Sequence, residues 1–258
     1  MICGVAQGGN PALVGLCVQP LQGRRPAASA EWAPTANRVE IFDHVTPPTF
    51  DGNGVVSWAG RDGAGTLLRV GSTRGPTATT LDGVAAVDFD ASTYDALWTG
   101  TDRWLGLTDY PVMLHVLADA DADAGTLAEM GSLLADTGLE LYRSADDTLG
   151  QVSESNPSTY TASPSLSAGP HLFSVYFASA TSRTVYVDGN AATENTTSVA
   201  FPTVGGTFRV LSLGYSSRWS SIDAARARNG AVGAFAVYTA NNVAAFYAAA
   251  QAVWTSLP

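Results

Sequence analysis

The chain has 258 residues, of which 46% are hydrophobic and 14% are charged, so it is long and apolar enough to bury a folded core. Its formal net charge is -10 and all 13 basic residues are Arg, which argues against a nucleic-acid groove. The absence of Lys excludes P-loop nucleotide sites, Schiff-base enzymes and Ser-Lys hydrolases, because each of them requires that amine.

The N-terminal segment differs from the rest, and we interpret residues 1–38 as an arm or docking segment. Four apolar side chains in it would not stay in water without a partner, and these candidate assembly contacts are Leu13, Val14, Leu16 and Val18. An extra edge strand of the same domain is the alternative. The segment lacks the basic start of a signal peptide, so we expect Cys3 and Cys17 to be reduced thiols, with a disulfide as the alternative.

In residues 39–258, apolar and polar residues alternate in short runs separated by Gly, Pro, Asn and Asp. A period of two predicts β-strands, and many short strands are typical of an antiparallel sandwich or barrel. The predicted strands are Val39–Val45, Val84–Phe89, Val112–Leu117, Leu139–Arg143, His171–Ala178, Arg183–Val187, Phe208–Leu213 and Gly233–Tyr238. No apolar run is long enough to predict a membrane span.

Two further local structures are predicted in the C-terminal half. The segment Ser182–Ala192 predicts a β-hairpin, with Asp188, Gly189 and Asn190 providing the positive-φ turn. After Asn241 or Asn242 as N-cap, the spacing of apolar residues predicts a helix that packs on the sandwich as a lid. Its apolar face contains Val243, Phe246, Tyr247, Ala250 and Trp254.

Aromatic side chains beside polar ones in loops are the combination that sugar rings contact in proteins. The candidates for carbohydrate binding are Trp98, Trp104, Tyr215, Arg218 and Trp219. Trp is also a common core or interface residue, so packing and subunit contact are alternatives for each of them. The neighbours Arg218 and Trp219 are the strongest pair, because they lie among Ser residues between two predicted strands.

The segment D-A-D-A-D-A-G places Asp119, Asp121 and Asp123 directly after a predicted strand. Alternating carboxylates can gather oxygen ligands around Ca²⁺. The spacing is not that of an EF-hand, because Gly125 falls one place late and Met130 occupies the position of the bidentate Glu. A calcium site and a solvated acidic connection are both open, and no other cofactor is predicted.

Six segments carry a family resemblance, and they are Gly54–Leu68, Val84–Leu97, Tyr110–Leu117, Gly169–Gly189, Phe208–Gly214 and Gly230–Tyr238. The first contains W-A-G-R-D-G-A-G and the second V-D-F-D-A. In this order they resemble the concanavalin A-like lectin/glucanase superfamily, in particular its laminin-G-like jelly rolls. The resemblance implies an all-β, antiparallel two-sheet jelly-roll sandwich with an N-terminal arm and a C-terminal helix.

The glycosidase branch of that superfamily commonly carries Glu-x-Asp-x-x-Glu on one strand, where alternate residues share a face. No two Glu residues of this chain are close in sequence; they are Glu31, Glu40, Glu129, Glu140, Glu154 and Glu194. The nearest approach is Glu40 with Asp43, which lacks a second Glu. We therefore predict that the chain is not an enzyme, and a glycoside hydrolase is the least favoured alternative. His115 and His171 are expected at the edge of the core.

Laminin-G-like jelly rolls also occur in tailed-phage virion proteins, so the resemblance implies a virion structural protein: a head decoration, a fibre or a tail-associated subunit. Residues 1–38 would then contact other virion proteins, the chain would form a homo-oligomer, and its loops would bind a cell-surface glycan. A stand-alone carbohydrate-binding lectin is the alternative. The expected location is the virion, assembled in the host cytoplasm, with neither nucleic acid nor membrane as a partner.

Overall fold

The computed structural model describes residues 31–70, 74–93, 95–99, 105–119, 125–132, 137–143, 148–153, 156–161, 166–195, 209–214 and 227–258. Several residues singled out by the sequence lie outside these ranges, and they are Cys3, Leu13, Val14, Leu16, Cys17, Val18, Trp104, Asp121, Asp123, Tyr215, Arg218 and Trp219. Their predicted roles stay predictions.

The described chain consists of strands and two short helical segments. The strands are β1 (Arg38–Phe42), β2 (Thr49–Asp51), β3 (Gly54–Ala59), β4 (Thr66–Arg69), β5 (Thr77–Leu81), β6 (Val84–Phe89), β7 (Leu97–Trp98), β8 (Val112–Asp119), β9 (Gly125–Ser132), β10 (Thr137–Arg143), β11 (Thr148–Ser153), β12 (Asn156–Thr161), β13 (Pro170–Ser179), β14 (Ser182–Val187), β15 (Asn190–Asn195), β16 (Arg209–Leu213) and β17 (Gly230–Tyr238). A 3₁₀ helix spans Ala91–Thr93, and the α-helix α1 spans Val243–Gln251. Neither described helix is long and apolar enough to cross a membrane.

Within the described residues, the strands form two antiparallel sheets. Sheet A has the order β15-β14-β13-β8-β17-β6-β5, and β1 also pairs with β17. Sheet B has the order β12-β11-β10-β9-β16-β7-β4-β3-β2. The predicted all-β, two-sheet antiparallel sandwich with a C-terminal helix is therefore confirmed.

The main core lies between the two sheets. Central strands of sheet A contribute alternate residues to it, such as Val112, Leu114 and Val116 of β8. Sheet B contributes Met130 and Leu139 from its neighbouring strands β9 and β10. Because successive side chains of a strand point to opposite faces, the intervening residues lie on the outer faces of the sheets.

A second core covers the outer face of sheet A. Phe246 of α1 and Trp254 pack around Trp32, with ring centroids 5.3 and 5.1 Å from the Trp32 ring respectively. The outward-facing Met113 and Leu172 belong to the same cluster. Sheet A is thus covered on both faces, which explains why β8 is buried along nearly all of its length. The helix packs as the lid that its apolar face predicted.

The residues before β1 pack on the sandwich. Trp32 is buried, and the Tyr238 hydroxyl donates a hydrogen bond of 2.7 Å to the Pro34 carbonyl oxygen. The Glu31 carboxylate accepts a hydrogen bond of 2.6 Å from the Arg38 guanidinium, which lowers the pKa of Glu31. The part of the predicted arm from residue 31 onward is therefore tied to the fold.

The predicted hairpin between β14 and β15 is present, and two of its three predicted turn residues have positive φ, whereas Asn190 already belongs to β15. Asp188 has φ of 49° and Gly189 has φ of 78°, the positive values that this turn requires. The Asp188 carboxylate accepts the Leu172 amide at 2.9 Å and lies 2.6 Å from Nδ1 of His171. The turn is thereby fixed against the neighbouring strand β13.

Candidate functional site

The carboxylate pair that the sequence brought closest, Glu40 and Asp43, serves the fold. The buried Glu40 carboxylate accepts the backbone amides of Asp62 and Ala64, both at 2.7 Å, and of Gly65 at 3.1 Å. The Glu40 carboxylate thus satisfies backbone amides in the turn between β3 and β4 and holds that turn in place.

Asp43 is also buried, and its partners are likewise structural. Its carboxylate accepts hydrogen bonds from Nε1 of Trp32 at 2.6 Å and from Nη1 of Arg61 at 2.7 Å. It also accepts the backbone amide of Val45 at 3.0 Å. With these bonds in place, Asp43 anchors Trp32 to the sandwich and does not face a ligand site.

His115 is a core residue with both ring nitrogens bonded. Nε2 lies 2.9 Å from Oδ1 of Asn242, which is an acceptor, so Nε2 carries the proton. Nδ1 then accepts from the Ser174 hydroxyl at 2.7 Å. Burial lowers the pKa of His115 to about 4. The ring stacks on Phe246 with centroids 4.2 Å apart, so it joins sheet A to α1.

A polar cleft of about 180 Å³ opens where the β2–β3 turn meets the loop before β5 and the end of β6. Among the residues that the structure describes, its side chains are carboxylates, hydroxyls, one amide and one guanidinium, together with glycines. The lining residues are Gly52, Asn53, Gly54, Arg74, Gly75, Thr77, Asp88, Asp90, Thr93 and Asp95. No aromatic residue is among these described lining residues, so they would hold a ligand by hydrogen bonds and charge.

One wall of the cleft is a braced turn. Both Nη atoms of Arg69 donate to the Asp51 carboxylate at 2.9 Å, and Oδ1 of Asp51 accepts the Asn53 amide at 2.7 Å. The Gly75 amide then donates to the Asn53 carbonyl oxygen at 2.9 Å. Hydrogen bonds on both sides of Asn53 hold the turn against the loop before β5.

Close packing of backbone explains the glycines in that wall. A Cβ on Gly54 would lie 2.7 Å from the Pro76 carbonyl oxygen, and a Cβ on Gly75 would lie 2.6 Å from the Val55 carbonyl oxygen. Gly54 also has φ of 102°, which side chains disfavour. Only glycine fits both positions, so the shape of this wall is set by the backbone.

The opposite wall is acidic and partly occupied by its own hydrogen bonds. The buried Asp95 carboxylate accepts the Asp90 amide at 3.1 Å and the Thr93 hydroxyl at 2.8 Å. Oδ1 of Asp90 accepts the amide and the hydroxyl of Ser92 at 2.8 and 2.6 Å. The bonds from Ser92 lower the pKa of Asp90. These contacts hold the wall rigid.

Asp88 is the exposed acceptor of the cleft. Its side chain accepts no hydrogen bond from the part of the chain that the structure describes. Partial burial raises the pKa of Asp88, and the nearby carboxylates of Asp90, Asp95 and Asp119 raise it further, against a smaller opposite effect of the Arg228 charge. A group that donates hydrogen bonds would relieve this accumulation of acceptors.

A second polar region lies on the outer face of sheet B. The pairing registers align Leu68, Trp98, Ser212, Glu129 and Glu140 in one row across five strands. Leu68 is exposed and Trp98 is half-buried, whereas the two Glu residues are buried. Of the predicted sugar-binding aromatics, Trp98 is the one that the structure describes, and it lies in this row.

The sequence did not reveal that Glu129 and Glu140 meet. They are direct partners across β9 and β10, and the Thr126 hydroxyl donates to Oε1 of Glu140 at 2.5 Å. The alternation around each Glu carried the signal, since Ala128, Met130, Leu139 and Leu141 are the core residues that flank them. The register between the strands was needed to bring the two carboxylates together.

Of the predicted calcium ligands, the structure describes Asp119. Nη2 of Arg228 donates to the Asp119 carbonyl oxygen at 3.1 Å, which fixes the end of β8. Across the described ranges, no three His, Cys, Asp or Glu side chains are grouped as metal ligands. Because Asp121 and Asp123 lie outside those ranges, the calcium site stays a prediction.

No protein-family model and no curated protein matches the sequence. Solved structures with a similar fold include Trypanosoma rangeli sialidase with the inhibitor DANA, at TM-score 0.57 and 13% identity over 83% of this chain. The same sialidase with sialic acid has TM-score 0.55 and 14% identity over 83% of this chain. NanB with optactamide has TM-score 0.50 and 12% identity over 60% of this chain. The match covers 33% of the trypanosomal chains and 25% of NanB.

These comparisons correct one prediction. The chain was predicted not to be an enzyme, and that exclusion is wrong because its fold is shared with parts of sialidases, which are enzymes. No two Glu residues are close along the chain, but the β9–β10 register places Glu129 and Glu140 directly opposite each other. The likeness shows the fold alone.

Proposed function

We propose that this sandwich recognises carbohydrate, and that the polar cleft between the β2–β3 turn and the end of β6 is the binding site. The observation that carries the proposal is the lining of the cleft: carboxylates, hydroxyls and an amide held on rigid backbone, with Asp88 as an exposed acceptor. Sugars present many hydroxyl groups, which donate to carboxylates and accept from amides and guanidinium groups.

The fold supports this proposal without deciding it. The sandwich resembles the concanavalin A-like lectins and glucanases in its motifs, and its structural neighbours include a Trypanosoma rangeli sialidase in complex with sialic acid. Carbohydrate-active proteins therefore use this architecture. Since one fold hosts many functions, the ligand has to be argued from the cleft itself.

A substitution that fills the cleft tests the proposal. Thr77 lines the cleft, and Thr80 lies exposed on the opposite face of the same strand β5. We expect the full chain to bind members of an immobilised glycan panel, Thr77→Trp to abolish that binding, and Thr80→Trp to retain it. Circular dichroism melting checks that both variants fold. Equal binding by the two variants would move the site away from the cleft.

A second candidate function, glycoside hydrolysis, is favoured by the pairing of Glu129 with Glu140. Directly opposed residues of an antiparallel pair have Cβ atoms about 4.5–5.5 Å apart. Retaining glycosidases place their two carboxyl groups about 5–5.5 Å apart, one as nucleophile and one as acid and base. Both side chains are buried in this structure, so we rank binding in the open cleft ahead of hydrolysis.

Fluorogenic glycosides of several sugars test the second candidate. Hydrolysis by the full chain that disappears in both Glu129→Gln and Glu140→Gln, but persists in Glu31→Gln, would establish it. Glu31 is the matched control because its half-exposed carboxylate forms an ion pair with Arg38 and belongs to neither β9 nor β10. Absence of turnover in the full chain, or unchanged turnover in the variants, would dismiss this pair.

We further propose that the chain is a structural protein of a tailed-phage virion and that the glycan site acts within that particle. In that setting the sandwich would present the cleft outward and residues 1–30 would contact other virion proteins. A stand-alone lectin would use the same cleft without an assembly partner. Incorporation into particles, measured with and without residues 1–30, separates the two settings.

A further inference from the structure

We infer that the cleft selects a neutral, hydroxyl-rich sugar residue and rejects sugars that carry a carboxylate, such as sialic acid. The inference rests on the proposed function and names the ligand class of that same site. It separates this chain from the sialic-acid ligand seen in one of its structural neighbours.

The charged groups around the cleft disfavour an anionic ligand. Three carboxyl groups line it, those of Asp88, Asp90 and Asp95, and Arg74 supplies the one guanidinium among the described lining residues. Beyond the lining, the charges of Asp119 and Arg228 act on Asp88 in opposite directions, since Asp119 raises its pKa and Arg228 lowers it. A ligand carboxylate entering this field would meet like charges at short range, which disfavours binding.

Arg74 does not reverse that balance. Its charge helps to lower the pKa of Asp90, so it partly offsets the carboxylates of the cleft. One guanidinium against three lining carboxylates still leaves an excess of negative charge, which an anionic sugar would have to overcome.

Hydroxyl groups fit the same lining well. Asp88 offers a carboxylate that accepts no hydrogen bond from the described residues, and Thr77 stands directly across from it on β5. Asn53 adds an amide on the braced wall. Hydrogen bonds from a hydroxyl to a charged acceptor are about twice as strong as neutral ones, so Asp88 is the expected anchor.

The size of the cleft limits how much of a glycan enters it. Its volume is about 180 Å³, below the roughly 300–1,000 Å³ of pockets that bury drug-sized ligands. One sugar residue or the end of a chain suits this space better than an oligosaccharide laid along a groove. The cleft therefore binds the terminal residue of a glycan, and in a sialylated glycan that residue is sialic acid.

The experiment compares neutral and sialylated glycans that share a core. The full chain is tested on an array of glucose-, galactose-, mannose- and N-acetylglucosamine-terminated glycans, together with the galactose-terminated set carrying a terminal sialic acid. We expect binding to at least one neutral class, and binding to any sialylated member at least tenfold weaker than to its neutral counterpart.

Three variants then identify the anchor. Asp88→Asn is expected to weaken neutral-glycan binding about tenfold or more, since it removes the charged acceptor. Asp109→Asn makes the same chemical change at an exposed position outside the cleft and is expected to stay within twofold of the full chain. Arg74→Gln is expected to reduce neutral-glycan binding by less than Asp88→Asn. Thermal melting confirms that each variant is folded.

The outcomes separate this inference from the proposed function. Preferential binding of sialylated glycans that is lost in Arg74→Gln would overturn the neutral selectivity while leaving carbohydrate recognition intact. Binding of neutral glycans that is unaffected by Asp88→Asn would overturn the role of Asp88. Failure of every glycan to bind would overturn both the inference and the proposed function.

Discussion

His115 shows how a titratable side chain is made part of a core. Its imidazole is fully buried, bonded at both nitrogens and stacked on Phe246, so the neutral form is the one that the fold accommodates. Burial lowers the pKa of His115 to about 4, from an ordinary value of 6.5. The unfolded chain therefore takes up this proton at a higher pH than the folded chain does.

We predict that His115 makes stability depend on pH between 6.5 and about 4. As the pH falls through this window, the unfolded state gains the proton first, so the free energy of unfolding drops, by about 3 kcal/mol in total. Urea unfolding from pH 7 to pH 4 is the measurement, with His115→Gln as the comparison. If both proteins lose stability equally over that window, His115 is not responsible.

A second prediction concerns Glu40, which accepts three amides of the β3–β4 turn. Glu40→Gln replaces one acceptor oxygen by an NH₂ group and leaves buried amides without a partner, so we expect a loss of about 3 kcal/mol. Glu31→Gln makes the same change at a half-exposed ion pair and should cost less than about 1 kcal/mol. Equal effects in denaturant unfolding would refute the structural role of Glu40.

None of the described residues that line the cleft was predicted as a site residue. Trp98, a predicted sugar-binding residue, lies in the row on sheet B, whereas Asp88 and Asp90 were seen as part of a strand motif and not as a site. Their alternation with the buried Phe89 showed that both face outward. The sequence did not show which residues lie opposite them, because Asn53 and Arg74 are brought there by tertiary packing.

At the scale of elements, the alternation of apolar residues located eight strands, most of which contribute to the core, but missed β3 and β9, which also do. The eight predicted strands correspond to β1, β6, β8, β10, β13, β14, β16 and β17, and the predicted helix corresponds to α1. Several of the unpredicted strands are short or poor in apolar residues; β2, for example, has three residues and all of them are exposed. The strand β2 forms because it pairs with β3, and the residue pattern within β2 does not reveal that pairing.

The lid helix yields a prediction at this scale. Phe246 is buried among Trp32, His115 and Tyr238, so Phe246→Ala leaves a cavity between α1 and sheet A. We expect a loss of about 3–5 kcal/mol in denaturant unfolding. Ala245→Gly, at an exposed position of the same helix, should cost about 1 kcal/mol through helix propensity alone. Similar losses for the two variants would mean that α1 is not packed as described.

The cleft is also a product of elements. Its walls come from the β2–β3 turn, the loop before β5 and the end of β6, and these belong to both sheets. The residues predicted from sequence to bind sugar are mostly aromatic and were expected in single loops, and none of them is among the described residues that line the cleft. A site assembled from separate polar residues and glycines becomes visible only when the strand order is known.

For the whole molecule, the remaining prediction concerns the N-terminal segment. Trp32 is part of the core, so a chain that begins at Glu31 should keep the melting temperature of the full chain. We also predict that the full chain forms a defined oligomer through residues 1–30 and that the shortened chain is a monomer, as measured by light scattering. Identical masses for the two proteins would remove self-association from the role of the segment.

The central claim is that the polar cleft binds carbohydrate, and amide chemical shifts of the full chain during titration with its best neutral glycan test it most directly. The account predicts that the largest shifts occur at Asn53, Thr77 and Asp88 and saturate together. Shifts confined to the outer face of sheet B around Trp98, with the cleft residues unchanged, would contradict it.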